Sequence, residues 1–163
     1  MSVHDLDSRE FRSFAGHFAT GVAIITTLDE SGTPVGFTAN SLTSLSLDPP
    51  MFLVCVARDS GTLPSLLQHS RFGISFLSDA QRDLSIRFAG KGGGAKFSDT
   101  GLLESPGGIP WLAGALGHAE CEVSTVYEGG DHMIVLGTVS TINFGEGEPL
   151  VYFRGDYAAL SGR

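Results

Sequence analysis

An antiparallel, mainly β barrel, closed or partly closed and flanked by a few helices, is the architecture this sequence predicts. Three observations carry it. Roughly seven segments have strand character, and several are joined by hairpin-type turns. Strands and helices do not alternate in the regular way that a parallel sheet requires. Glycine is abundant, at 22 of 163 residues, and scattered without period, as in a turn-rich β protein. The length suits one domain over residues 1–163, with its core from about 11 to 160. Such a domain buries roughly 70 % of its unfolded surface.

The elements follow in order. Asp7 to Phe18 reads as an amphipathic helix, with Phe11, Phe14, Ala15 and Phe18 at i, i+3, i+4 and i+7. Asp7 is its N-cap and Glu10 stands three residues on. Gly21 opens a β-branched strand that ends before the turn Asp29 to Thr33. Val35 to Thr62 is the most unusual stretch. Thr38, Asn40, Ser41, Thr43, Ser44 and Ser46 crowd into nine residues, more polar than strand alternation requires. Leu42 and the pair Leu45/Leu47 fall on opposite parities, which predicts a bulge near Thr43 and Ser44. Asp48-Pro49-Pro50 forms a corner. Met51 to Ala57 is an unbroken apolar run and reads as a central strand covered on both faces.

Leu63 to His69 suits a short helix, with Ser60 and Thr62 as caps. Capping alone accounts for these hydroxyls, and a helix start with free N–H groups is also an anion site. Arg71 to Leu77 alternates as a strand. Ser78 and Gln81 match a capping box for a helix to about Phe88, with Leu84 and Phe88 stacked at i, i+4. Gly90 to Phe97 holds four glycines within Gly90–Gly94 and two lysines. It reads either as a disordered loop or as a mobile flap carrying Lys91 or Lys96 to a phosphate. Residues 98–110 are irregular and Trp111 to Leu116 is ambiguous. His118 to Tyr127 and the strand from His132 form a hairpin around Gly129-Gly130-Asp131, with Gly137 as a bulge candidate. A turn at Glu146 to Pro149 leads to the last strand, and Gly155-Asp156-Tyr157 closes the domain.

Charge and absences prune the functions. A net charge of −8 disfavours nucleic acid and anionic membrane as partners. No apolar run approaches a membrane span, and the N-terminal decapeptide lacks the apolar core of a signal peptide. Cys55 and Cys121 lack C-x-x-C spacing and read as buried, reduced thiols, so a cytoplasmic location is expected. There is no G-x-G-x-x-G after a strand and no G-x-S-x-G elbow. The five histidines lack ligand spacing, so no metal is expected. Glu120/Glu122 and Glu146/Glu148 read as solvated pairs. What remains is a set of hydroxyls, amides and backbone donors, which binds something planar or phosphorylated and leaves hard chemistry to a cofactor.

Several pieces in a fixed order carry a family resemblance. They are Thr20-Gly21-Val22, the run Gly36 to Pro50, Arg71 to Ser75, Arg87-Phe88-Ala89, Gly130-Asp131-His132, and Gly155-Asp156-Tyr157. Together they resemble the short-chain flavin reductase family, the reductase components of two-component flavin-dependent monooxygenases. The resemblance implies a split antiparallel β-barrel and a homodimer with flavin near the subunit interface. It implies reduction of FMN or FAD by NADH or NADPH and delivery of reduced flavin to an oxygenase component. By position it implies that Thr38, Asn40, Ser41, Thr43 and Ser44 line the flavin, followed by Ala57, Arg58 and Asp59. Ser60 and Thr62 would lie near the phosphate, and Arg87, Phe88 and Lys91 near the tail. His132 would face the nicotinamide, in an orienting or electrostatic role, and Tyr157 the ring. The alternatives are a split-barrel oxidase that retains its FMN and a non-catalytic flavin-binding redox sensor.

Overall fold

A computed structural model describes residues 6–160. The chain runs α1 (Ser8–Ala15), β1 (Thr20–Gly21), β2 (Ala23–Leu28), β3 (Pro34–Ala39), β4 (Leu42–Leu47), β5 (Pro50–Ala57), α2 (Leu63–His69) and β6 (Arg71–Phe76). It continues with α3 (Arg82–Ala89), β7 (Leu102–Glu104), β8 (Pro110–Leu112), β9 (Gly117–Gly129), β10 (His132–Phe144), β11 (Val151–Phe153) and β12 (Asp156–Ala158). Short 3₁₀ turns cover Asp79–Gln81 and Gly93–Phe97. No described helix is long and apolar enough to cross a membrane.

Seven strands form one antiparallel sheet in the order β3-β2-β6-β9-β10-β5-β4. Its two edge strands, β3 and β4, are consecutive in the chain and joined only through Asn40 and Ser41. The sheet therefore curls until its edges nearly meet, and Asn40-Ser41 crosses the seam. The barrel is split there and not closed by a ladder. Ser41 O accepts from Cys55 N at 2.8 Å, which fastens the seam to β5.

The barrel interior holds Ala23, Ile25, Val54, Val56, Phe72, Ile74, Cys121 and Val135. A second cluster on the outer face of β2 joins Ile24, Leu77, Phe88, Phe97, Leu112 and Leu150. The strand buried on both faces is thus β2, and not the Met51–Ala57 run. Only Val54 and Val56 of β5 are fully buried, because β5 lies next to the edge strand and its outer face is uncovered in a single chain.

Local expectations met mixed outcomes. Asp7 caps α1 by accepting from Arg9 N at 3.0 Å, yet the helix ends at Ala15 and buries none of its residues. Phe14 and Phe18 are 75 % and 79 % exposed, so the apolar face does not plug the barrel. The bulge in β4 falls between Ser44 and Ser46, one residue beyond the parity break. The Asp48–Pro49 corner contains a cis peptide bond. Gln81 Oε1 accepts from Ser78 N at 3.1 Å, as a capping box requires. A register shift occurs at Leu136/Gly137, and a Cβ at Gly137 would lie 2.6 Å from the Phe72 ring. Residues 98–110 are not wholly irregular, because Leu102–Glu104 pairs with Pro110–Leu112. Glu120 is buried rather than solvated: Arg71 approaches it at 2.9 Å and Gly107 N donates to it at 3.0 Å. Its partner Glu122 keeps the solvated role.

Candidate functional site at the barrel seam

The split leaves a cleft of about 630 Å³ between β3, the seam, the start of α2 and the loop after α3. Thr38, Asn40, Ser41, Ala57, Asp59, Ser60, Thr62, Phe88, Lys91 and His132 all line it. Residues far apart in the chain are brought together by register, since His132 at the start of β10 pairs with Ala57 at the end of β5. Thr43 and Ser44 lie in an adjoining pocket of about 300 Å³, and Tyr157 in a third of about 210 Å³. Asn40 borders all three.

Hydrogen bonds sort these side chains by role. The Thr38 hydroxyl donates to Ser85 O at 2.6 Å, and so anchors β3 to α3. The Ser41 hydroxyl donates to Cys55 O at 3.1 Å. Ser60 Oγ accepts from Thr62 N at 3.3 Å, which leaves the Ser60 proton available to a ligand oxygen. Thr62 sits at the N-cap of α2 but makes no side-chain cap bond there. Phe88 is fully buried and packs edge-on against Phe97 at 4.8 Å, so it forms the floor and not the lip. Tyr157 Oη and Ser85 Oγ share a hydrogen bond of 2.7 Å, and the Arg82 guanidinium lies 5.1 Å above the tyrosine ring.

Two predicted residues line none of these three pockets. Arg58 Nε donates to Gly130 O at 2.8 Å, and its guanidinium reaches Glu128 at 3.4 Å. It clamps the β9–β10 turn. Arg87 donates to Ser98 O at 2.9 Å and so holds the loop after α3. The two loop lysines also diverge. Lys96 lines the cleft, but its Nζ donates to Gly36 O and Phe88 O at 3.2 and 3.1 Å, and its burial lowers its pKa. Lys91 is exposed at the lip and, among the described residues, makes no ion pair, so it can meet an anion. Gly92 and Gly93 take positive φ values of 151° and 51°, a path that side-chain-bearing residues rarely follow.

His132 Nδ1 lies 2.7 Å from Asp131 Oδ1. That hydrogen bond, with the charge of the ring, holds the Asp131 carboxyl below its ordinary value. An ionised carboxylate only accepts, so Nδ1 carries the proton and Nε2 is the nitrogen left for a ligand.

Cys55 is the cleft residue that sequence reasoning misplaced. It is half-buried and lines the cleft, and burial raises its thiol pKa. The available signal was parity, because Cys55 stands two residues before Ala57 on one face of β5. Cys121 is buried as expected. Among the described residues, no three His, Cys, Asp or Glu side chains cluster as a metal site would require.

The site is a split barrel's polar seam, with hydroxyls at a helix start and one carboxylate-held histidine. The chain belongs to the flavin reductase like domain family, whose model matches residues 15–161. It is 38 % identical over 161 residues to the reductase subunit HsaB of a flavin-dependent monooxygenase from Rhodococcus jostii, covering 98 % of this chain and 82 % of that one. It is 36 % identical over 155 residues to the FMN reductase (NADH) SmoA of Agrobacterium fabrum, covering 95 % and 87 %. Among solved structures, the Streptomyces globisporus NADH:FAD oxidoreductase SgcE6, in complex with NAD and FAD fragments, superposes with a TM-score of 0.90 at 34 % identity, covering 95 % and 93 %.

Proposed function

We propose that this protein uses NADH or NADPH to reduce FMN or FAD and supplies the reduced flavin to an oxygenase component. The observation that carries this reading is the cleft at the seam, where Asn40, Ser60, Lys91 and His132 converge. The residues fit a flavin in kind. A planar ring suits the cleft walls of β3 and β5, and a phosphate suits the Ser60 hydroxyl and the Lys91 ammonium at the other end. The relatives named above are a monooxygenase reductase subunit, an FMN reductase and an NADH:FAD oxidoreductase.

Flavin, when bound, supplies the acceptor for a hydride from the nicotinamide. The chain supplies placement. The seam backbone and Asn40 hold the ring edge, Ser60 and Lys91 hold the phosphate, and His132 Nε2 orients the hydride donor. Thr38 acts through α3, by fixing β3. Arg58 and Arg87 act through the turn and the loop they hold.

A single chain leaves much apolar surface open, including Phe14, Phe18, Leu47 and Phe144. Leu47 lies at the end of the sheet where β10 runs on past Thr138, the partner of Met51, to Phe144. Large apolar side chains left this exposed suit an interface. A second copy of the chain is the partner this surface suits.

The test is oxidation of NADH and NADPH by the purified protein, with and without added FMN, FAD or riboflavin. Turnover that depends on free flavin supports the reductase reading. A yellow protein that keeps its flavin through gel filtration and turns over no added flavin refutes it and favours the oxidase or sensor.

A further inference from the structure

A basic pocket of about 590 Å³ lies between the end of α1 and the β11–β12 turn, and it shares no residue with the three pockets at the seam. Arg9, Arg12, Ser13, His17 and Arg154 line it. The chain carries a net charge of −8 and only ten lysines and arginines, yet three of them meet here. Among the described residues, no acidic side chain lines the pocket. The neighbouring acids are turned elsewhere or bind weakly. Asp156 reaches Arg82 at 3.5 Å, and Asp7 meets Arg9 only at 3.6 Å in an exposed pair.

Two elements are fitted together to make this pocket. Arg9, Arg12, Ser13 and Gly16 recur at i, i+3, i+4 and i+7 and so share one side of α1, whereas Phe11 and Phe14 fall on the opposite side. A partner on the aromatic side therefore leaves the pocket open. The turn is held against the helix end, because Arg154 N donates to Gly16 O at 2.7 Å. A Cβ on Gly16 would lie 3.4 Å from Arg154 Cα, so glycine permits the approach. The Phe153 ring supports both basic groups of this wall. The Arg154 guanidinium lies 5.1 Å from its centroid, and His17 packs edge-on to it at 6.4 Å while donating from Nδ1 to Ser13 O at 2.9 Å.

The carbonyl end of a helix attracts cations, which accounts for Arg12 and His17 singly. It does not account for an arginine delivered by another element. Arg154 and Gly155 take φ values of 52° and 82°, and a two-residue turn with both φ positive prefers Asn-Gly. The backbone thus disfavours arginine at this position. Guanidinium groups gathered without a counter-ion also repel one another, a cost that a bound anion removes. Their forked donors match phosphate oxygens.

We propose that the pocket between α1 and the β11–β12 turn is a second anion site, which takes a phosphate group through Arg12 and Arg154 with Arg9 at its rim. The site itself stands apart from the flavin reductase reading, and only the source of the phosphate rests on that reading. Two sources offer the same chemistry, the phosphates of the pyridine nucleotide and a free phosphorylated metabolite that is not turned over.

Pyrophosphate is the probe, titrated calorimetrically into the full chain at low ionic strength with FMN present to fill the seam. Wild-type protein binds it. Arg12→Gln and Arg154→Asn each weaken binding roughly tenfold or more, the size of one charge-assisted hydrogen bond. Lys91→Gln, at the seam, leaves the Kd unchanged. Arg154→Asn melts at or above the wild-type temperature, because asparagine suits the positive φ, so its weaker binding is not a loss of fold. A rise in the KM for NADPH alone in the two arginine variants assigns the 2′-phosphate of the nucleotide. An equal rise for NADH and NADPH assigns its pyrophosphate. Unchanged KM for both, with pyrophosphate binding weakened, assigns the free metabolite. Wild-type protein that binds no pyrophosphate, or binding that both arginine variants leave intact, overturns the proposal, while flavin-dependent turnover keeps the reductase reading. Binding lost with the arginines in a protein that turns over no flavin upholds the site and removes the reductase reading.

Discussion

Asp131 Oδ1 and His132 Nδ1 lie 2.7 Å apart, at the turn where β10 begins and beside the cleft. The pair gives the histidine one fixed orientation. Removing the imidazole by His132→Ala should raise the KM for NADH or NADPH by roughly tenfold, with flavin affinity unchanged. Steady-state kinetics with flavin and pyridine nucleotide varied separately read the two effects. Unchanged KM and kcat would remove His132 from the mechanism.

The same pair sets an acid limit. The folded Asp131 carboxyl titrates below its ordinary 3.8 because it accepts from His132. Its contribution to stability is therefore full above that value and is lost as pH falls through the lowered folded value. Acid unfolding of Asp131→Asn should lack that component, and wild-type and variant melting temperatures should converge at the lowest pH.

Arg58 clamps the turn that carries this pair, through Gly130 O at 2.8 Å. Its side chain is 43 % exposed, so solvent screens its bond to Glu128. Arg58→Ala should lower stability by about 0.5–1 kcal/mol and raise the nucleotide KM less than His132→Ala does. A large loss of flavin affinity would instead place the guanidinium on the cofactor.

Gly137 stands where β10 crosses over Phe72. An added Cβ would lie 2.6 Å from the Phe72 ring and 2.8 Å from Cys121 Cβ. Gly137→Ala should destabilise the barrel by about 1–3 kcal/mol, the cost of overpacking a filled core. Denaturant titration should show a lower midpoint with an unchanged slope.

The two cysteines should separate chemically. Burial, helped by Glu120, pushes the Cys121 thiol from 9.0 to about 12. The unfolded chain releases that proton first, so stability falls as pH rises through this interval. At about pH 8 a thiol reagent should modify Cys55 slowly and leave Cys121 untouched. Added flavin should protect Cys55, which lines the cleft. Equal labelling of both would contradict the burial described.

Leu47 is 94 % exposed and Phe144 84 %. Leu47→Asp with Phe144→Glu should convert a dimer to a folded monomer, read by light scattering after gel filtration. Wild-type protein that elutes as a monomer would dismiss the second copy.

Much of this was legible in the residues, and the failures have physical causes. The hydroxyl-rich run, the bulge in β4, the Ser78–Gln81 box and the β9–β10 hairpin are local signals, and each holds. Glu120 was misread because its counter-ion, Arg71, lies on a neighbouring strand and no local pattern reveals the pairing. The Met51–Ala57 run was misread because an apolar strand reads the same in sequence whether one face or both are covered. Arg58 and Lys96 carry the charge a phosphate needs, but backbone carbonyls engage them first.

Asn40 and Ser41 sit where the two outermost strands of the sheet come round to face each other. One wall of the cleft is formed where Ala57 ends β5 beside its partner His132 at the start of β10. The cleft is therefore complete only in the assembled barrel. It cannot form until the distant β9–β10 hairpin has docked on β5, a contact of high sequence separation and slow closure. A chain cut short before β9 would keep every hydroxyl of the seam and hold no ligand. Recovery of flavin binding during refolding would thus time completion of the whole barrel.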